Sequence, residues 1–335
     1  MRRIVPLVLI AALLLGFGAV NLAARGMQEV EESAEDPPPI TVEAASLKGP
    51  SGFGMIKLFE DKPELGALGD SNFTVLPSPK EMVARVAGGE VDFAVLPANM
   101  AAKLYTAGPG YKLGAVVGMG VLHGLSRDPD VKNWEDLKGK TVYSIGKGAT
   151  PDYLLHYLLS QHGMDPKQDV KVNFSVSSGP QLAQLLISGK IDTAVLPEPF
   201  VTMVKAKAKD VRKVLDFQAA WKRIQGGEST YPITVVVVRP ELAENRPELV
   251  DRFLKAYSES IEWVNDNPAE AADLIGKYDV MPAALAKPAI PNCNLKYIYS
   301  SEARGIMEGF LQVLLDFNPA SIGGQLPDDG FYLKK

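Results

Sequence analysis

Residues 83–97 read VARVAGGEVDFAVLP, and residues 183–197 read AQLLISGKIDTAVLP. The two stretches match at a constant offset of 100 residues, and the identical positions are Gly89 and Gly189, Asp92 and Asp192, and the string AVLP at 94–97 and 194–197. Each stretch has the pattern of a helix that ends at a glycine, a polar turn, and a buried strand that ends at a proline. The period is too long for a solenoid, so the repeat predicts two similar lobes, each with its own sheet.

Strand-like and helix-like segments alternate on both sides of the repeat. Residues 40–47 form a β-prone run, and further strands are predicted at 74–76, 92–96, 114–122, 141–145, 171–174, 193–196 and 234–238. Helices are predicted at 79–87, 151–162, 180–188, 247–265, 268–278 and 302–318. This alternation is typical of α/β folds with largely parallel sheets.

The composition is that of a globular protein that binds neither nucleic acid nor metal. Hydrophobic residues make up 46% of the 335 residues and charged residues 22%, which allows a large buried core. The net charge is −5, so no basic face for nucleic acid is indicated. Cys293 is the only cysteine, which excludes an intramolecular disulfide and a lipidated amino-terminal cysteine. The three histidines lack metal-site or triad spacing and are expected on the surface, so we predict no metal and no cofactor.

The amino terminus has the features of an export signal. Two arginines precede an apolar run at residues 4–20, and small residues follow it. We expect residues 1–24 to be a signal peptide, cut after Ala23 or Ala24, that directs the protein to the periplasm or another extracytoplasmic compartment. The run is close to the length that spans a bilayer, so an uncleaved anchor stays open as an alternative. Residues 25–39, which are acidic and end in three prolines, are expected to form a stiff tether.

The carboxyl ends of the repeated strands predict a ligand cleft, because ligands of open α/β sheets bind beyond these ends. Asn99 follows the first repeated strand, and Glu198 and Phe200 follow the second. If the two lobes face each other, these residues line a shared cleft, in which Glu198 accepts a hydrogen bond from a ligand N–H. Two other roles for Glu198 stay open: a helix cap, or an ion pair between the lobes. The rings of Phe200 and Tyr231 could form a stacking wall.

Two glycine-containing loops extend the candidate ligand site. Gly49, Pro50 and Ser51 precede an amphipathic stretch, and Gly148 and Thr150 precede a predicted helix. Thr150 fits an N-cap, and the glycines would let a ligand reach free backbone N–H groups at the helix start. The same residues also fit an ordinary helix start without a ligand. The spacing of the glycines differs from that of a phosphate-binding P-loop, so the sequence does not indicate nucleotide hydrolysis.

Motifs spread over residues 40–335 resemble one branch of the ABC transporter substrate-binding proteins. They are GEVDFA at 89–94, WEDLKGKTV at 134–142, GATP at 148–151, LPEPF at 196–200 and NPAEAA at 267–272. Their order and spacing are similar to those of the nitrate-, sulfonate-, taurine- and thiamine-precursor-binding members. The resemblance implies the type II periplasmic-binding-protein fold, an α/β fold in which two crossover strands join two lobes around the ligand cleft.

The same resemblance implies where the lobes divide. Lobe one would comprise residues 40–121 and 233–335, and lobe two, residues 122–232. The crossover strands would then lie at 117–122 and 231–236.

The function implied by the resemblance is that of a solute-binding protein of an ABC importer, not an enzyme. Family members close two lobes on a small organic molecule or oxyanion and pass it to a membrane permease driven by an ATPase subunit. We expect a monomer that meets the membrane only through the permease or an uncleaved amino-terminal segment. Two alternatives stay open: a receptor that presents its ligand to a membrane sensor, and an enzyme like the pyrimidine synthases that share the fold. The export signal and the single cysteine speak against the enzyme.

Overall fold

The computed structural model describes residues 38–227 and 230–334, in which strands and helices alternate. The strands are β1 (Ile40–Leu47), β2 (Gly69–Leu76), β3 (Phe93–Pro97), β4 (Lys112–Met119), β5 (Leu122–Ser126), β6 (Thr141–Tyr143), β7 (Lys171–Asn173), β8 (Thr193–Pro197), β9 (Arg212–Asp216), β10 (Pro232–Val238) and β11 (Leu295–Tyr299). The helices are α1 (Pro50–Gly54), α2 (Ile56–Asp61), α3 (Pro79–Ala87), α4 (Ala98–Thr106), α5 (Thr150–Gln161), α6 (Gly179–Ile187), α7 (Phe200–Lys207), α8 (Phe217–Gln225), α9 (Pro240–Asn245), α10 (Pro247–Asp266), α11 (Pro268–Lys277), α12 (Ala283–Ala289) and α13 (Ser300–Phe317). The predicted α/β class is confirmed.

Each lobe is built on one mixed sheet. The first lobe has the strand order β11-β4-β10-β3-β1-β2 and carries α1–α4 and α9–α13; the second has the order β7-β6-β8-β5-β9 and carries α5–α8. In the first sheet β1 is parallel to β2 and β3, and β10 is antiparallel to β3 and β4. In the second, β6 is parallel to β7 and β8, and β5 is antiparallel to β8 and β9. The carboxyl ends of the parallel strands in each sheet therefore lie at the same edge of that sheet.

The two copies of the repeat occupy equivalent places in the two sheets. β3 and β8 are the repeated strands, each inside its own sheet, and the residues before the final proline are buried in both. The preceding helices α3 and α6 stop just before Gly89 and Gly189, whose φ angles are +70° and +71°. Glycine adopts this left-handed conformation without steric cost. The prediction of two sheets from the repeat is confirmed.

The single strand predicted at 114–122 is wrong. β4 ends at Met119 in the first sheet, and β5 begins at Leu122 in the second, so the chain changes sheets between them. A continuous apolar run gives no periodic signal for such a break. The break contains Gly120, where a larger residue would not fit, because a Cβ atom there would lie 2.7 Å from the ring of Tyr231. The chain returns to the first sheet between α8 and β10.

Several short elements were not predicted from the sequence. They include the strands β5, β9 and β11 and the helices α4, α7, α8, α9 and α12. Helix α4 begins directly after Pro97, which ends β3, and α7 begins at Phe200, three residues after Pro197 ends β8. This places Asn99 and Phe200 within first turns of helices.

Aromatic packing joins the two lobes beside the two segments in which the chain passes from one sheet to the other. Trp221 of α8, in the second lobe, lies with its ring centroid 5.6 Å from that of Phe310 of α13, in the first lobe. Tyr231 packs between them, 5.6 Å from Trp221 and 6.2 Å from Phe310. All three side chains are at least 95% buried, so this cluster fixes the region around which the lobes meet.

The predicted signal peptide at 1–24 and almost all of the tether at 25–39 lie outside the described residues. Within residues 38–227 and 230–334, no helix combines the length and the apolar character needed to cross a membrane.

Candidate functional site

The carboxyl ends of the inner parallel strands bring four loops to the space between the sheets. In the first lobe, β1 leads into α1 and β3 into α4; in the second lobe, β6 leads into α5 and β8 into α7. Because parallel neighbours end at the same edge, the loops of each lobe lie side by side. Contacts between the loops of opposite lobes then define the site.

Asn99, at the start of α4, makes the most direct connection between the lobes. Its Nδ2 donates to the carbonyl oxygens of Gly148 (3.3 Å) and Ser321 (3.1 Å), and its Oδ1 accepts from the Thr150 hydroxyl (3.0 Å). Asn99 and Thr150 are both fully buried. Gly148 and Thr150 belong to the second lobe, so the fold brings together three of the residues that were predicted for the site.

The loop before α5 is shaped by glycine. Gly146 and Gly148 have φ angles of +71° and +78°, and α5 begins at Thr150 with Ala149 as its N-cap residue. The predicted N-cap role of Thr150 is therefore wrong, because its hydroxyl donates to Asn99 in the other lobe. The loop is held instead by Asp152, whose Oδ2 accepts the Gly148 N–H at 2.7 Å. An acidic residue in the first turn after Thr-Pro is the sequence signal that would have identified it.

The loop before α1 faces the second lobe at a different point. Pro50 is the first residue of α1, and the hydroxyl of Ser51 donates to the Leu47 carbonyl at 2.9 Å. Gly49 has a φ of +116°, and a Cβ atom built on it would lie 3.9 Å from Cδ of Pro199. Backbone therefore approaches the Pro199 ring closely, and the Ser51 hydroxyl is committed within its own loop.

Glu198 is a buried residue that caps a helix. Its side chain is held by α7, where Oε2 accepts the Thr202 N–H at 3.0 Å. Its own N–H donates to the carbonyl of Val121, next to the first crossing, at 3.1 Å. Burial raises the pKa of the Glu198 carboxyl, although hydrogen bonds from Thr202 oppose this. Of the roles considered from the sequence, the cap is the one whose contact is present.

Phe200 and Tyr231 are both buried aromatic residues. Phe200 is buried within the second lobe, where its ring fills the space that a side chain on Gly179 would need. Tyr231 is fully buried in the aromatic cluster beside the crossings, and its hydroxyl donates to Oε1 of Gln218 at 2.6 Å. Both rings are therefore held by core packing.

A cavity of about 510 Å³ borders Glu198, and this cavity was not predicted from the sequence. Its lining includes His123, Glu198, Thr202, Lys213 and Asn292. Asn292, from the first lobe, donates to the Thr202 hydroxyl at 3.2 Å and adds a second hydrogen bond between the lobes. The surface placement expected for His123 is wrong, because its side chain is only 12% exposed. Burial, assisted by the charge of Lys213, lowers the pKa of His123 to about 4.

Two exposed lysines give the loops positive charge. Lys48 precedes Gly49 in the first lobe, and Lys147 precedes Gly148 in the second. In the part of the chain that the structure describes, neither ammonium group is paired with a carboxylate. Unpaired lysines on opposite sides of a cleft favour an anionic ligand. Among the same residues, no group of three or more His, Cys, Asp or Glu side chains could hold a metal ion.

Two α/β lobes with helix-starting loops between them define a two-lobed binding-protein fold, and solved structures share it. One is an ABC transporter protein from Parabacteroides distasonis, with a TM-score of 0.73 and 26% identity over 88% of this chain and 99% of that one. Another is the alkanesulfonate-binding protein SsuA from Xanthomonas axonopodis bound to MOPS, with a TM-score of 0.68 and 13% identity over 89% of this chain and 97% of that one. The predicted two-lobed type II fold is confirmed.

The chain belongs to the NMT1-like family, whose model matches residues 69–276. It is also similar to the nitrate/nitrite binding protein NrtA of Synechococcus elongatus, with 28% identity over 158 residues, which cover 44% of this chain and 32% of NrtA. The chain spans between 32% and 62% of the length of the curated relatives that it matches. The resemblance to binding proteins of ABC transporters is confirmed.

Proposed function

We propose that this protein is the extracytoplasmic solute-binding protein of an ABC importer. It captures a small organic molecule or oxyanion by closure of the two lobes and delivers it to a membrane permease. The observation that carries the proposal is a pair of hydrogen bonds between the lobes at the strand ends: Asn99 donates to the Gly148 carbonyl and accepts from the Thr150 hydroxyl. Ligands of α/β sheets bind at such ends, and hinged lobes close on them.

The names of the relatives support both the class and the ligand. One is called a nitrate/nitrite binding protein and another an alkanesulfonate-binding protein, and both names describe anions. Lys48 and Lys147 would attract an anion to the loops. Binding and closure need no bond-making step, so we propose transport and not catalysis.

The ligand contacts that we propose are the loop residues of the two lobes. They are Gly49, Pro50, Ser51, Asn99, Gly148 and Thr150. Glu198 and Phe200 would support this surface from behind, through α7 and the core of the second lobe. Tyr231 would act at the hinge, since its ring and hydroxyl are both held there.

The remaining parts of the proposal concern hinges, export and partners. We place the hinges where the chain passes between the sheets, which divides it into lobe one at 40–121 and 233–335 and lobe two at 122–232. Residues 1–24 would direct export to the periplasm or its equivalent, and the partners would be the permease and its ATPase. We propose that the protein works as a monomer.

Identification of a ligand tests the proposal directly. Native mass spectrometry of freshly purified protein should detect a small copurified molecule, which is then added back to stripped protein. Small-angle scattering of the stripped protein should show a smaller radius of gyration when that molecule is bound, and calorimetry should give one site per chain. If the copurified molecule binds without any change in scattering, closure is refuted. Turnover of the molecule would refute the assignment as a non-enzyme.

A further inference from the structure

A chain of hydrogen bonds leads from the surface of α5 to the contact between the lobes. Nδ1 of His156 lies 2.8 Å from Oδ1 of Asp152 and 2.9 Å from its backbone oxygen. Because both neighbours are acceptors, Nδ1 carries the hydrogen. Oδ2 of Asp152 accepts the Gly148 N–H at 2.7 Å, and the Gly148 carbonyl accepts from Asn99. One buried carboxylate thus holds the histidine and the cleft loop together.

We infer that Asp152 and His156 are positioning residues for the cleft: they hold the Gly148 loop where it meets Asn99, and protonation of His156 strengthens the joined arrangement of the lobes. This inference rests on the proposed function, since it assigns a consequence to closure. It does not require Asp152 or His156 to touch the ligand.

The loop needs such an anchor because its own backbone is permissive. Gly146 and Gly148 both adopt positive φ, and a Cβ atom on Gly148 would meet nothing within 4 Å. A glycine with open space around it is not fixed by packing. A hydrogen bond to a charged carboxylate is about twice as strong as a neutral one, so Asp152 is well suited to hold this segment.

The surroundings of His156 allow its charge to change with pH. A cavity of about 520 Å³ borders the imidazole, which is 24% exposed, so water can reach the ring. The titratable groups around it are Asp152 and Tyr153 on α5, and Asp165 and Lys167 on the loop after α5. Among the described residues that line this cavity or stack on the ring, those from other elements are uncharged: Phe174 after β7, and Phe317 and Asn318 at the end of α13.

The balance of these effects favours the charged imidazole. Burial works against the charge, but the hydrogen bonds to Asp152 outweigh it, and the pKa of His156 is raised above its ordinary value. A base whose pKa is raised in the folded state stabilises that state when it is protonated. This contribution to the free energy of unfolding is complete below about pH 6.5 and is lost as the pH rises through the raised pKa. Below that range the imidazolium adds its charge to the hydrogen bond with Asp152, the residue that also accepts from the Gly148 N–H.

Amide exchange and an interlobe distance test the inference in ligand-free protein. Exchange at the Gly148 amide, corrected for intrinsic rate, is followed by NMR from pH 5.5 to 8. Spin labels on cysteines replacing Lys103 and Lys190, which are exposed on opposite lobes, report the distance between the lobes. The native Cys293 is 1% exposed and should not take up label.

Three variants separate the steps of the hydrogen-bonded chain. In Asp152→Asn, an NH2 group that cannot accept replaces one carboxylate oxygen, and the remaining oxygen carries no charge, so Gly148 exchange should accelerate by about tenfold or more, and the interlobe distance should lengthen. In His156→Gln the amide can still donate to Asp152, so protection should remain while its dependence on pH disappears. Asp165→Asn changes the charge of the same cavity without touching Asp152, and it should behave as wild type.

Each contrary result overturns a defined part of the inference. Wild-type exchange in Asp152→Asn would show that the carboxylate does not hold the loop. Faster exchange with an unchanged interlobe distance would show that the loop does not position the lobes. A pH dependence that persists in His156→Gln would remove the histidine. No ligand enters these measurements, so they stand even if the protein proves not to serve an importer.

Discussion

Replacement of Asn99 by alanine should separate the two lobes of the ligand-free protein. The buried amide makes three hydrogen bonds, and those to Gly148 and Thr150 join one lobe to the other. Each buried hydrogen bond contributes about 0.5–1.5 kcal/mol net, so the interlobe pair stabilises the joined arrangement by about 1–3 kcal/mol. Loss of the pair should lower the ratio of closed to open molecules by about 5- to 150-fold. The groups left behind become hydrated when the lobes part, which favours opening further.

Small-angle scattering and an interlobe spin-label distance measure this change without a ligand. Asn99→Ala should give a larger radius of gyration and a longer, broader distance distribution than the wild type. Asn72→Ala is the matched control, because its amide makes an exposed hydrogen bond to Oε1 of Glu43 within the first lobe. Scattering and distances in Asn99→Ala that match those of the control would refute the role of Asn99 between the lobes.

Three further predictions follow from the contacts around the site. Glu198→Ala removes the cap on the Thr202 N–H, so the free energy of unfolding in urea should fall by about 0.5–2 kcal/mol. Ligand binding per folded molecule should be nearly unchanged. Unchanged stability together with lost binding would instead favour a contact between Glu198 and the ligand. The pKa of His123 is lowered to about 4, so the unfolded state binds its proton more tightly, and the contribution of His123 to stability should be about 2 kcal/mol lower at pH 5 than at pH 7. His123→Gln should remove that difference, and its persistence would assign it to other groups. For an anionic ligand, Lys48→Gln and Lys147→Gln should each weaken binding by about 0.2–1 kcal/mol and reduce its salt dependence, and titration at two salt concentrations that shows no change would exclude both lysines.

The sequence predicted the parts of the fold that repeat, and it failed where the lobes interact. The glycine stops and AVLP strands fixed β3 and β8 because helix stops and buried strands are local patterns. The apolar run at 114–122 concealed the change of sheet at Gly120, since nothing in its periodicity depends on which sheet receives the strand. Tyr231 illustrates the same limit: an aromatic residue near a predicted hinge fits a ligand wall or a core equally well from sequence alone.

The candidate site was predictable to the same extent. Asn99 was predicted to lie in the site because it follows a strand end, but its partners Gly148 and Thr150 are about fifty residues away and on the other lobe. Only the relative placement of the two sheets decides that the Thr150 hydroxyl bonds to Asn99 and leaves the cap of α5 to another residue. The position of Asp152 beside the lobe contact was not predictable for a similar reason: an acidic residue in the first turn indicates a contact with the helix start, but not that this segment meets the other lobe.

The contacts between the lobes also determine how a ligand must bind. With the lobes joined, Asn99 uses both of its N–H donors and can offer a ligand only a second lone pair on Oδ1. A ligand therefore enters molecules whose lobes are apart, and the apparent dissociation constant exceeds the intrinsic one by the inverse of that open fraction. Asn99→Ala enlarges the open fraction, so ligand should associate faster; it also removes hydrogen bonds that hold the closed complex, so ligand should leave faster. Stopped-flow kinetics separates the two effects, and an association rate that does not rise would show that opening does not precede binding.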